Sequence, residues 1–236
     1  MRQRIKESTT PSRILFLRVG IDLGTGKSLG PIFPDGTFEY VPIPEDDSAQ
    51  ASPRTVRFSD LPARSGGTLE RFVPERLRTA SAHYDPEFVT FTYGDPTVNK
   101  RRQLLRLRPN DILVFYAGLR PPGASGGAEL YVIGFFTVKE VHDVNPGGPW
   151  PPAALRHLWA NAHFRRKEPD EGLVVVAGCP EASRLLAKAA LLSDKRQYIL
   201  PEMEQLLGIR GSLKRAIGRW VDEQKVAAAS VWISGL

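Results

Sequence analysis

Cysteine is almost missing from this chain. Cys179 stands alone, so no disulfide framework can form within it. Long hydrophobic runs are missing too. None reaches the ~20 apolar residues that a bilayer-crossing helix needs, and the apolar ILFL of 14–17 is cut by Arg18. The basic start, MRQRIKESTTPSR, is not followed by the apolar segment of a signal peptide. These absences predict a cytoplasmic protein with no membrane partner. They also make 1–12 a flexible N-terminal tail ahead of a single α+β domain over 13–236.

A phosphate loop is also lacking. RVGIDLGTGKS (18–28) follows an apolar run, where such loops sit, but Gly26-Lys27-Ser28 would need glycine at 21. That position is Ile21, and Gly20 comes one residue too early to close the cradle. GIDLGT resembles the first loop of actin-like and sugar-kinase folds, yet no further Gly-rich loop with acidic partners follows. NTP-driven chemistry is therefore not expected.

What is present is basic charge, +6 overall with a pI near 9.6. It gathers in acid-free runs, KRRQLLRLR (100–108), RHLWANAHFRRK (156–167) and RGSLKRAIGR (210–219). Each run alone reads as a solvated face. Together they suit a polyanion, which makes nucleic acid or a nucleotide the expected partner, with DNA favoured.

Alternation predicts strands over 13–22, 88–94, 111–118, 129–141 and 172–178, with a hairpin over 30–46 turning at Pro34-Asp35-Gly36. Helices are expected over part of 69–80, over 96–107 and 154–166, after Pro180 through Leu185, Leu186, Ala189 and Ala190, and through the tail from Pro201, with Ser212 capping 213–224. Strands thus dominate to about 141 and helices from about 153. That pattern predicts α+β around a mixed sheet or a small barrel.

Several polar groups are candidates for function. Arg18 and Asp22 fall on one face of the first strand, as an ion pair or as a pocket wall. In HYDPEF an extended chain puts His83, Asp85 and Glu87 on one side, as metal ligands or an acid–base pair would sit; a polar strand entry explains them as well. Tyr93 can stack on a base, and Asp95 can cap the basic helix after it. In NAHFRR, helical spacing puts Asn161 and Arg165 on one face but His163 about 160° from Arg165, so the three converge only if that segment is not regular helix.

DILVFYAGL, a Gly-rich loop and ELYVIGFFTVKEV resemble the heart of PUA-like domains, especially their EVE and ASCH branches. These are small barrels that bind nucleic acid, some of them capturing modified bases. RVGID, GPIF–DG–FEYVPIPE, DPEF–TFTYGDP, FYAGL, NAHFRR and VVVAG–SRLL together resemble the nucleotide modification associated domain family of the third type, from residue 18 to about 190. The resemblance implies a setting among systems that alter DNA bases, with protein partners in such a system. The leading expectation is a binding module for a modified or extruded base. Arg18, Asp22, Tyr93, Phe115, Tyr116 and Asn161 would hold the base, with Trp150 adding stacking surface. Lys100, Arg101, Arg102, Arg165 and Arg166 would hold phosphates. No cofactor or metal is expected under that reading. The alternative is an enzyme of modified-nucleotide metabolism working through Asp22, His83, Asp85 and His163, with a divalent metal.

Overall fold

The computed structural model describes residues 11–45, 52–123, 128–144 and 149–236. In chain order its strands are β1 (Ile14–Arg18), β2 (Gly30–Pro31), β3 (Ile43–Pro44), β4 (Val56–Arg57), β5 (Ser81–His83), β6 (Thr92–Asp95), β7 (Ile112–Arg120), β8 (Glu129–Asp143), β9 (Val174–Gly178), β10 (Arg184–Leu191) and β11 (Arg219–Trp220). The α-helices are short: α1 (Val98–Leu104), α2 (Ala162–Arg165), α3 (Pro201–Leu207) and α4 (Val226–Ser234).

β7 and β8 carry the fold. Aromatic and β-branched residues fill both, and neither contains a proline that would interrupt the ladder. They pair antiparallel, from Ile112 opposite Thr137 to Leu119 opposite Glu129. β1 lies parallel to β7 on its other side. The main sheet runs β11-β1-β7-β8-β9-β6, with β10 on β8 and β2 on β7. β8 is long enough to serve two partners along its free edge, β10 over Tyr131–Phe135 and β9 over Val138–Asp143. Among the described residues no pairing joins β6 back to β11, so the path is an open mixed sheet without barrel closure. A smaller sheet, β3-β5-β4, covers a second apolar cluster around Val41, Phe58, Leu69 and Leu77.

The core between the main strands is aromatic. Phe115 and Phe136 have ring centroids 4.7 Å apart, and Phe88 approaches Phe136 at 5.4 Å. Gly134 makes this possible, since a Cβ there would meet Phe88 Cε1 at 2.6 Å and the Arg184 carbonyl at 2.7 Å.

Several sequence expectations change. Residues 184–191 form a strand, not a helix. Leu185, Leu186, Ala189 and Ala190 mimic helical spacing, but the open edge of β8 recruits them through a ladder whose register shifts between Leu185 and Ala190. The 154–166 segment divides into a 3-10 helix (Ala153–Leu158) and the four-residue α2, with Asn161 as its N-cap. Residues 213–224 are not helical: Trp220 pairs with Leu15 at the sheet edge, and the last helix starts at Val226. The 69–80 segment holds two 3-10 turns on either side of Pro74. The part after 153 holds three of the four α-helices, α2, α3 and α4, with three strands, β9, β10 and β11, interleaved among them. Of the expected tail only Pro11 and Ser12 fall within the described residues, and there the Ser12 hydroxyl donates to Asp111 at 2.8 Å.

Candidate functional site

The GIDLGTGK turn answers the phosphate-loop question by its hydrogen bonds. Asp22 Oδ1 accepts from the Gly24 and Thr25 amides at 2.9 and 2.8 Å and from the Thr25 hydroxyl at 3.0 Å. Those amides close a local Asp turn, so they cannot wrap a phosphate. Arg18, at the end of β1, lies 3.7 Å from Asp22 and donates to the Lys214 carbonyl at 2.8 Å and to Gln197 at 3.1 Å.

Beside this turn opens a cleft of about 400 Å³. Its floor is His83, Asp85 and His163, all buried, and its walls include Arg18, Lys100 and Arg166. Three separate pieces of backbone deliver the floor. His83 ends β5, held in register opposite Ile43 of β3. Asp85 follows two residues on, outside the strand. His163 sits in the first turn of α2, where the Asn161 side chain accepts its amide N–H at 3.1 Å.

Asp85 is fixed from two sides. Oδ1 accepts from Asn161 Nδ2 at 3.0 Å, and Oδ2 accepts from the Gly94 amide at 2.9 Å. Gly94 is obligatory here, because a Cβ would meet His163 Cδ2 at 2.6 Å and Asn161 Oδ1 at 3.1 Å. Each imidazole is held from behind by a different carboxylate. His83 Nδ1 lies 3.1 Å from Glu45, and His163 Nδ1 lies 2.6 Å from Asp170. An ionised carboxylate only accepts, so both Nδ1 atoms carry hydrogen and both Nε2 atoms face the floor. Arg166 ties the two outer carboxylates together, bonding Glu45 through one terminal nitrogen and Asp170 through the other.

The electrostatics follow from these partners. Burial works against ionisation of Glu45, yet hydrogen bonds from His83 and Arg166 hold its carboxyl down at about 2. Burial alone would lower the His163 value, but Asp170 and Asp85 override it and raise it to about 9. Burial also opposes ionisation of Asp95, and Lys100 at 2.8 Å with Thr97 keeps it below the ordinary carboxylate range.

A profile of the family described as nucleotide modification associated domain 3 matches residues 13–231. The chain belongs to this family. Membership associates it with nucleotide modification, which agrees with the sequence resemblance and extends it over nearly the whole chain. No curated protein and no solved structure matches the chain. Among the described residues no helix is long and apolar enough to cross a membrane.

Within this family member the cleft gathers Arg18, Asp22, His83, Asp85, Tyr93, His163, Lys100 and Arg166 from the sequence candidates. Others fall elsewhere. Phe115 and Tyr116 have no exposed surface, so they offer no ring face to a base. Tyr93 is nearly as buried, and its hydroxyl donates to Asp95 at 3.0 Å. Asn161 is wholly buried behind the floor, fixing Asp85 instead of reading a base edge. Trp150 packs on Phe164. The expected phosphate row is dispersed: Lys100 is paired with Asp95, and Arg101 grips both oxygens of Asp143. Arg102 is exposed on α1, and Arg165 donates to the Ala160 carbonyl. Glu87 does not join His83 and Asp85; it caps its own turn through the Val89 and Thr90 amides.

Glu45, Gly94 and Asp170 were not legible as site residues, being isolated in loops or hidden in a strand. A basic hollow was missed as well. Lys195, Arg196, Gln197, Tyr198 and Lys214 line a surface depression of about 660 Å³. Arg18 connects it to the cleft through its bonds to Gln197 and Lys214. The acid-free run at 210–219 was the signal for Lys214; Lys195 and Arg196 lie beside Asp194 and gave none.

Proposed function

We propose that the cleft receives a nucleotide, or a base extruded from nucleic acid, and that the protein acts on it chemically within a nucleotide-modification system. The observation that carries this reading is convergence. His83, Asp85 and His163 meet at the floor of a cleft sized for a nucleoside, and each imidazole is aimed by its own carboxylate. A floor that serves only to hold a base needs no such support behind its ring nitrogens. Arg18, Lys100 and Arg166 on the walls suit phosphate or carbonyl oxygens of the guest. The neighbouring hollow with Lys195, Arg196 and Lys214 would take the flanking backbone, and the half-exposed Tyr198 would take a stacked base.

A second reading, a module that holds a modified base without altering it, draws on the rim. Asp22 borders the cleft, and its Oδ2, which meets only Arg18 at 3.7 Å, offers an acceptor to the amino edge of a base.

One experiment tests both. The protein is incubated with mononucleotides and with single- and double-stranded oligonucleotides, plain and carrying modified pyrimidines, while binding is followed by titration and nucleosides by mass. A mass change that His163→Gln abolishes supports the enzyme. Tight binding of one modified base with no mass change supports the module. Binding to none of these overturns both.

A further inference from the structure

We infer that His83 Nε2, His163 Nε2 and Asp85 Oδ2 form the binding site of one divalent first-row transition-metal ion. One ligand atom from each of His83, Asp85 and His163 lies within 4.8 Å of the other two, and all three residues are buried. His83 Nε2 is 3.9 Å and His163 Nε2 is 3.6 Å from Asp85 Oδ2. Both separations are too long for hydrogen bonds. They are close to the ligand–ligand edge of about 3.4 Å that bonds of about 2.0–2.2 Å impose in a tetrahedral site. Shifts of a few tenths of an ångström bring both carboxylate–imidazole separations to that edge.

The surroundings match what a metal-binding imidazole requires. Each ring presents Nδ1–H to a carboxylate, Glu45 for one and Asp170 for the other, which fixes the tautomer and turns the Nε2 lone pair inward. Asp85 is held by Asn161 and Gly94 so that Oδ2 faces both rings. Charge points the same way. Glu45, Asp85 and Asp170 contribute three negative charges against the single positive charge of Arg166, which contacts two of them. Three carboxylates against one guanidinium leave the cluster rich in acceptor oxygens, which suits a cation.

Two imidazole nitrogens and one carboxylate oxygen select zinc- or iron(II)-type ions over magnesium or calcium, which prefer all-oxygen shells. The three ligands leave coordination positions facing the cleft. The inference deepens the proposed function by naming what its floor holds, but metal binding is read with no nucleotide present.

The test uses untagged full-length chain stripped with chelator and titrated with Co²⁺, followed by visible absorption and calorimetry. One Co²⁺ per chain is expected, with visible bands, displaced by Zn²⁺ and not by a large excess of Mg²⁺. His83→Ala and Asp85→Asn should abolish the bands. Asp170→Asn should weaken binding by about 10–100-fold, as loss of an outer-shell partner does. Asp85→Asn keeps the shape of the side chain and its acceptor for the Gly94 amide, and a thermal melt of each variant separates lost ligation from lost folding. Absence of stoichiometric Co²⁺ binding overturns the inference, as does binding that survives Asp85→Asn and His83→Ala in folded protein. Displacement by Mg²⁺ overturns the assigned metal class. Nucleotide titration of the chelated protein runs alongside: its failure with Co²⁺ binding intact removes the substrate reading and leaves the metal site standing.

Discussion

Two histidine–carboxylate clusters occur among the described residues, and they are built from nearly the same residue types. One is the cleft floor. The other is Glu140, His142 and His157, on the far part of β8 and the 3-10 helix after Pro152. In the second, Glu140 bonds His142 Nε2 at 3.0 Å and lies 3.4 Å from His157 Nε2, and its side chain is 32% exposed. One carboxylate there serves two imidazoles, and Lys139 is only 3.6 Å away. In the floor cluster the ratio is reversed: three carboxylates serve two imidazoles, from both ends of each ring. Composition and proximity alone therefore do not make a site. What distinguishes the floor is a second layer of residues that decides which nitrogen carries hydrogen and where the lone pair points.

Removing the acceptor at the centre should separate the two clusters most sharply. Asp85→Ala leaves the buried Asn161 amide and Gly94 N–H without their acceptor. Denaturant unfolding should show a loss of about 3 kcal/mol. Next is Gly94→Ala, whose methyl would press on His163 while Asp170 pins the ring from behind. About 2 kcal/mol is expected from that overpacking, and a shifted His163 signal in the NMR spectrum would locate it. The acid limb of the stability curve gives a smaller effect. Asp95 is held below its ordinary pKa in the folded protein, so its contribution is present above the unfolded value and lost as pH falls through the folded one. Melting temperatures of wild type and Asp95→Asn should therefore converge as the pH drops below about 4. The smallest change belongs to the exposed cluster. Glu140→Ala should cost under about 1 kcal/mol and leave metal and nucleotide binding unaltered. A loss of several kcal/mol there would erase the contrast between the two.

Much of this arrangement could be read from residue order, and the gaps have physical causes. FYAGL and YVIGFF announced β7 and β8, because a run apolar on both faces suits a central strand. RLLAKAAL misled, since its leucine and alanine spacing is helical and only the free edge of β8 made it a strand. In HYDPEF the alternation correctly put His83 and Asp85 together, while Glu87 turned back to cap its own loop. Helical spacing set His163 apart from Arg165, and only His163 reaches the floor: Asn161 caps α2 behind it, and Arg165 turns to the Ala160 carbonyl. Glu45 and Asp170 were out of reach, because an acid in a loop gains a role only when pairings remote in sequence bring a partner to it.

Asn161 caps α2 with one end of its amide and steadies Asp85 with the other. Through it, and through Arg166 reaching back to Glu45, the first half of the chain supplies groups that are correctly posed only when the second half has docked. A fragment stopping near residue 150 would keep His83, Asp85 and Glu45 but lose Asn161, which holds Asp85, and Arg166, which holds Glu45. Neither half can therefore be exchanged, trimmed or evolved as a spare part, and the cleft behaves like a lock whose two plates were cut together.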